Sequence, residues 1–119
     1  MYKKLILTFY KGLHILAFPC NQFGGQEPHS EHDIKNFACN HYHAAYPLFS
    51  KIEVNGANTH PLYQYLRAHS KLGEDGAHHV KKVSWNFEKF LVSADGTSVV
   101  HYPSGVSPKQ IEGDIAKHF

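Results

Sequence analysis

The chain has 119 residues and a mass of 13.5 kDa, room for one domain and not for two. Hydrophobic residues make up 42% and charged residues 18%, which excludes a largely disordered chain. Twelve Lys and Arg against ten Asp and Glu leave a net charge of +2 with no basic stripe, so no nucleic-acid partner is expected. No apolar run approaches the roughly 18 residues of a membrane span. Leu13 to Phe18 is too short for a secretory signal, and no small-residue cleavage site follows it. Two cysteines fit a reducing compartment, with the cytoplasm as the default. Eleven His make the surface responsive to mild acid.

Residues 1–12 carry Leu5, Leu7 and Phe9 among Lys3, Lys4 and Lys11, and read as the tail of a helix that Gly12 stops. Leu13 to Phe18 is nearly continuous apolar and is closed by Pro19, so it reads as a strand buried on both faces. Asn21 to Pro28, with Gly24-Gly25, is a loop. Ser30 caps the next helix, with Asp33 three residues on. Ile34, Phe37, Ala38 and His41 share its inner face. Cys39 lies about 140° around from Ile34, at about 100° per residue, where a partner can reach it.

Phe49 to Val54 alternates and reads as an edge strand, and Asn55-Gly56 turns the chain. Thr59 caps a short helix with Pro61 in its first turn; Leu62, Tyr65, Leu66 and His69 form its inner face. Ser70 to Lys82 is a polar loop. Phe87 to Val92 and Ser98 to Tyr102 are strands joined by the hairpin turn Ala94-Asp95-Gly96-Thr97. Ser107 caps the last helix, Pro108 opens it, and Ile111, Ile115 and Phe119 line one face. The order predicts an α/β layered sandwich with a mixed sheet.

Two segments carry a resemblance. One is Ile15-Leu16-Ala17-Phe18-Pro19-Cys20-Asn21-Gln22-Phe23-Gly24-Gly25-Gln26-Glu27-Pro28. The other is Trp85-Asn86-Phe87-Glu88-Lys89-Phe90-Leu91-Val92. Together they resemble the glutathione peroxidase family, and Val54-Asn55-Gly56 and Pro61-Leu62-Tyr63 fit the same pattern. The resemblance covers roughly Gly12 to Phe119. It implies a thioredoxin-like three-layer sandwich and one glutathione-peroxidase-like domain over residues 1–119. It also implies reduction of hydrogen peroxide and of organic or lipid hydroperoxides in the response to oxidative stress.

The resemblance assigns catalytic roles to Gln26, Trp85 and Asn86. An indole N–H and two side-chain amides can donate to an anionic sulfur and to the peroxide oxygen. Cys39, in Asn36-Phe37-Ala38-Cys39-Asn40-His41-Tyr42, looks like the resolving cysteine of the thioredoxin-dependent branch. The short loop from Ser70 to Ser84 leans the same way, toward a monomer reduced by thioredoxin rather than glutathione. No cofactor and no metal are implied. The family's peroxidatic Cys or selenocysteine has no counterpart here, since nothing before Gly12 resembles its motif. The chain therefore reads as incomplete at its N-terminus, without the first strand and the start of the first helix, and that missing stretch is also where an organellar targeting segment would lie. Buried groups left unpaired by that loss cost about 1–3 kcal/mol each, against about 5–15 kcal/mol for a whole domain. The chain alone is thus expected to be unstable and to turn over little or no peroxide.

Plainer readings stand beside these. Cys20 follows a strand and reads as a packed thiol rather than a substitute nucleophile, and a Cys20–Cys39 disulfide is open. His29, His32, Cys39, His41 and His43 lie close in sequence, but no doubled zinc-ligand spacing appears, so they read as surface His. The alternatives to a peroxidase are an inactive remnant that works by binding or regulation, and a His-rich metal-binding module.

Overall fold

The computed structural model describes residues 12–42, 46–73 and 80–119. They fall into two compact units, Met1–Ile52 and Glu53–Phe119. The helix tail expected before Gly12 lies outside the described residues. Gly12 itself has φ 101°, a conformation that favours glycine.

In the first unit, helix α1 spans Glu31–Tyr42. Ser30 caps it as expected: its Oγ accepts from Asp33 N at 3.2 Å, and its carbonyl accepts from Ile34 N. Ile34 is buried and Ala38 half-buried, but Phe37 is 54% exposed, its ring tilted against His41 with ring centres 4.7 Å apart. The inner face is therefore narrower than the apolar spacing predicts. Phe23 is buried, and Phe18 stacks on Phe49 at 4.7 Å.

The strand expected over Leu13–Phe18 is corrected to an extended segment with one parallel bridge, Ala17 to Leu48. Leu16 is 52% exposed, so the segment is not buried on both faces. The chemistry of the ladder explains its shortness. Ala17 N donates to Pro47 O and Phe49 N donates to Ala17 O, at 3.0 and 2.9 Å. The next rung would need an N–H from residue 19, and Pro19 has none. Beyond it the register slips by one. Ile52 N takes the Pro19 carbonyl at 3.0 Å, while Lys51 N turns to Glu31 Oε1 at 3.3 Å. Phe49–Val54 is accordingly not an edge strand.

In the second unit, helix α2 spans Pro61–Ala68 and a 3-10 turn, Lys71–Gly73, follows it. The cap is His60 rather than Thr59: His60 Nδ1 accepts from Leu62 N at 3.1 Å. Thr59 is buried, and its Oγ1 donates instead to Gly56 O. Leu66 is buried under α2, whereas Tyr65 is exposed and stacks on His69. Gly73 lies so close to the helix end that a Cβ would meet Ala68 O at 2.3 Å.

Strands β1 (Lys89–Val92) and β2 (Val99–Tyr102) form an antiparallel hairpin with Phe90 opposite His101. Gly96, at φ 78°, makes the turn between them. Phe87, placed in β1 by its apolar sequence, has φ 62° and lies in the preceding turn. The last helix, expected to be capped by Ser107 and opened by Pro108, is corrected to α3 (Glu112–Ala116) with Ile111 at its N-cap; Ser107 and Gln110 instead exchange side-chain and backbone hydrogen bonds and close a turn ahead of it. Ile111 and Ile115 are buried there, while Phe119 is exposed. Val54, Val83, Val99 and Tyr102 complete this unit's core. The class is α/β, with one parallel bridge and one antiparallel hairpin among the described residues.

Candidate active site

Gln26 sits on the loop that leaves the extended segment. Gly24 and Gly25 turn this loop at φ 67° and 59°, conformations that a side chain resists. Asn21 Oδ1 accepts from Glu27 N at 2.9 Å and closes the loop on itself. Buried Phe23 anchors it from below. The result presents Gln26 as an exposed side chain on a locally fixed backbone.

Cys39 is half-buried on α1, and Cys20 is half-buried just ahead of the Gln26 loop. Cys20 Sγ donates to Gln22 Oε1 at 3.4 Å. The two cysteines are thiols, so the disulfide left open by the sequence is not formed.

Trp85 and Asn86 sit on the turn that feeds β1. Trp85 is 46% exposed and Asn86 half-buried. The backbone of this turn is held from two sides. On one side stands Glu88, whose side chain is 2% exposed. Its Oε1 accepts from Ser84 N at 2.7 Å, from Trp85 N at 3.0 Å and from Ser84 Oγ. Its Oε2 accepts from His101 Nε2 at 2.5 Å. Burial pushes the Glu88 carboxyl up, but these donors outweigh it and hold it below the usual range, so it is an anion. On the other side, Ser104 Oγ donates to the Asn86 carbonyl at 2.5 Å. Lys89 Nζ donates to Ser104 O and Val106 O, at 3.2 and 2.6 Å, and so fixes the turn that carries Ser104. Burial lowers the Lys89 pKa, and the charge of Glu88 opposes that shift.

Trp85 and Asn86 are thus brought together on one turn of the second unit, while Gln26 and Cys39 belong to the first. Glu88, His101 and Ser104 were not among the residues singled out from sequence. The spacing of Glu88 from Ser84 and Trp85 is that of a side-chain cap, and it is a signal that was present. The partnership with His101 crosses the hairpin and has no local signature. Among the described residues no group of three or more His, Cys, Asp or Glu could hold a metal ion; His43 lies outside them. His32 Nε2 accepts from Asn36 Nδ2 at 3.1 Å, one turn along α1. No helix among the described residues is long and apolar enough to cross a membrane.

Chemically, the Trp85 turn sets a half-exposed indole beside an amide, on a backbone held directly by the Glu88 and Ser104 side chains. An indole N–H and a side-chain amide are both hydrogen-bond donors.

Comparison with known proteins gives the family. Residues 2–67 match the sequence model of the family described as Glutathione peroxidase. The chloroplastic phospholipid hydroperoxide glutathione peroxidase of Pisum sativum is 52% identical over 107 residues, which are 90% of this chain and 43% of that protein. Probable glutathione peroxidase 2 of Arabidopsis thaliana is 47% identical over 118 residues, 96% of this chain and 67% of that protein. The chain therefore spans less than half the length of the first relative and about two thirds of the second. The crystal structure of Trgpx in apo form superposes with a TM-score of 0.71 at 31% identity, covering 98% of this chain and 64% of that one.

Proposed function

The chain belongs to the glutathione peroxidase family, and from that premise we propose that it supplies the peroxide-binding donors and the resolving thiol of a thiol-dependent hydroperoxide reductase. In this reading a thiolate or selenolate attacks the terminal peroxide oxygen. The O–O bond breaks, the chalcogen is oxidised to its sulfenic or selenenic acid, and the departing oxygen takes a proton to become water or an alcohol. Gln26, Trp85 and Asn86 donate hydrogen bonds to the anionic nucleophile and to the oxygen that gathers charge. The Cys39 thiol then attacks the oxidised centre, a bond forms between the two, and water leaves. A dithiol reductant of the thioredoxin class reduces that bond and is itself oxidised to a disulfide.

The observation that carries this reading is the Trp85–Asn86 turn. The chain's one tryptophan is left half-exposed while a buried carboxylate fixes its backbone. Tryptophan joins an apolar body to a polar handle, which suits a group that must both pack and donate. The peroxidatic group is assigned to neither Cys20 nor Cys39. We read the chain as one glutathione-peroxidase-like domain working as a monomer in a reducing compartment. Hydrogen peroxide and organic or lipid hydroperoxides are its substrates, and thioredoxin is favoured over glutathione.

The test couples peroxide consumption to thioredoxin, thioredoxin reductase and NADPH. The 119-residue chain should consume little or no peroxide, with or without Cys20→Ser. A longer product that carries a Cys or selenocysteine motif ahead of these residues should turn over peroxide. Gln26→Ala, Trp85→Phe and Asn86→Ala should each slow it, and Cys39→Ser should uncouple it from thioredoxin. Robust turnover by the 119-residue chain that Cys20→Ser abolishes would overturn the assignment and make Cys20 the nucleophile. An in-frame stop directly upstream, with no turnover, would leave a binding protein in place of an enzyme.

A further inference from the structure

We infer that Glu88, braced by His101, is the positioning residue that sets where Trp85 and Asn86 stand. The inference rests on the reading above, in which these two side chains meet the peroxide.

Three observations carry it. The first is economy of contacts. A carboxylate that is 2% exposed must find donors for its lone pairs, and it finds them at Ser84 N, Trp85 N, Ser84 Oγ and His101 Nε2. Two are successive backbone amides of the turn itself. Their directions, and so the stem of the Trp85 side chain, follow the position of one carboxylate oxygen.

The second is the brace. The other oxygen is held by His101, which stands opposite Phe90 in the hairpin register and packs against its ring at 5.1 Å. Phe90 in turn meets the Tyr63 ring of α2 edge-on at 5.7 Å. Glu88 is therefore tied to a two-stranded scaffold and to a helix, not to the turn alone.

The third is strain. Phe87 adopts φ 62°, a conformation uncommon for residues other than Gly and Asn, while its side chain is 79% exposed. Packing of its own side chain does not hold it there. Hydrogen bonds across it do: Glu88, the next residue, reaches back to the amides of Ser84 and Trp85, and Ser104 Oγ holds the Asn86 carbonyl, with Lys89 fixing Ser104.

The chain's single tryptophan makes the inference readable without any activity. Fluorescence anisotropy and the one indole N–H NMR signal both report Trp85. Glu88→Ala should lower the anisotropy and broaden or split the signal, in a chain whose far-UV circular dichroism is unchanged. Glu88→Gln keeps an acceptor oxygen for the amides and should restore most of both. His101→Phe keeps a ring against Phe90 but removes the brace, and should fall between. In the peroxidase assay on the product that carries its nucleophile, Glu88→Ala should slow the peroxide step by about 10- to 100-fold and leave the KM for thioredoxin unchanged. Glu88→Ala and His101→Phe chains that stay folded with wild-type anisotropy and one sharp indole signal would refute the inference. Glu88→Gln unfolding together with Glu88→Ala would reduce Glu88 to a structural residue. Failure of the peroxidase reading looks different: Trp85→Phe would then leave peroxide turnover unchanged, whatever the spectra of the Glu88 variants.

Discussion

The Asn55 side chain pairs with Val83 as a neighbouring strand would. Its Nδ2 donates to Val83 O at 2.8 Å, and its Oδ1 accepts from Val83 N at 2.9 Å. One amide thereby satisfies both polar groups of a buried residue that belongs to no named strand. Asn55→Ala should cost about 1–3 kcal/mol, because it leaves that donor and acceptor unmatched. Asn55→Asp should also destabilise, since a carboxylate cannot donate to the Val83 carbonyl. Urea denaturation of the two variants measures both effects.

Arg67 does similar work with a charged fork. Its guanidinium donates to the carbonyls of Val54, Val80 and Lys81, at 3.1, 3.3 and 3.0 Å. Burial lowers its pKa, yet guanidinium stays protonated at any pH a protein survives. Arg67→Lys keeps the charge and loses the three-way geometry, so it should cost about 1–3 kcal/mol. The loss appears as a lowered Tm that does not vary between pH 6 and pH 9.

Tyr102 supplies a pH-dependent counterpart. Its hydroxyl donates to Asp114 Oδ2 at 2.8 Å. Burial, and then the Asp114 carboxylate, push the phenol from its ordinary 10 up to about 12. A raised folded pKa favours the protonated form, so this contribution is complete below pH 10 and disappears as pH rises toward 12. Ultraviolet titration should find one phenol ionising well above the rest, and Asp114→Asn should bring it down.

Asp95 works in the opposite direction. It accepts from Ser93 Oγ, Thr97 Oγ1 and Thr97 N in the hairpin turn, and these donors pull its carboxyl down to about 2. A depressed folded pKa gives stability that is present above the ordinary 3.8 and lost as pH falls toward 2. Carboxyl chemical shifts should follow that titration, with amide exchange in the hairpin rising over the same range. Asp95→Asn should remove the pH dependence.

These elements differ in how plainly the sequence announces them. The Ser30 cap and the Gly96 turn were legible because each is settled within a few residues, whereas the cap expected at Ser107 was misplaced: its hydroxyl serves a turn and the helix opens only at Glu112. At Thr59-His60 two residues could cap α2, and geometry chose between them: Thr59 Oγ1 reaches back to Gly56, and His60 Nδ1 reaches forward to Leu62. The exposure of Phe37 and Phe119 was not legible, because periodicity says which residues share a face and not what covers it. In the site, Gln26, Cys39, Trp85 and Asn86 were read through a family motif. Glu88 and His101 were missed, because their contact joins positions 13 apart across a hairpin.

Pro19 carries a further consequence. A half-exposed extended segment with an outward leucine is the kind of edge on which a second polypeptide can nucleate intermolecular β-structure. Here Pro19 stops the inner ladder after one bridge, so the segment offers only a short edge for a second strand to extend. The interruption that keeps the ladder short inside the molecule also makes it a poor template for aggregation.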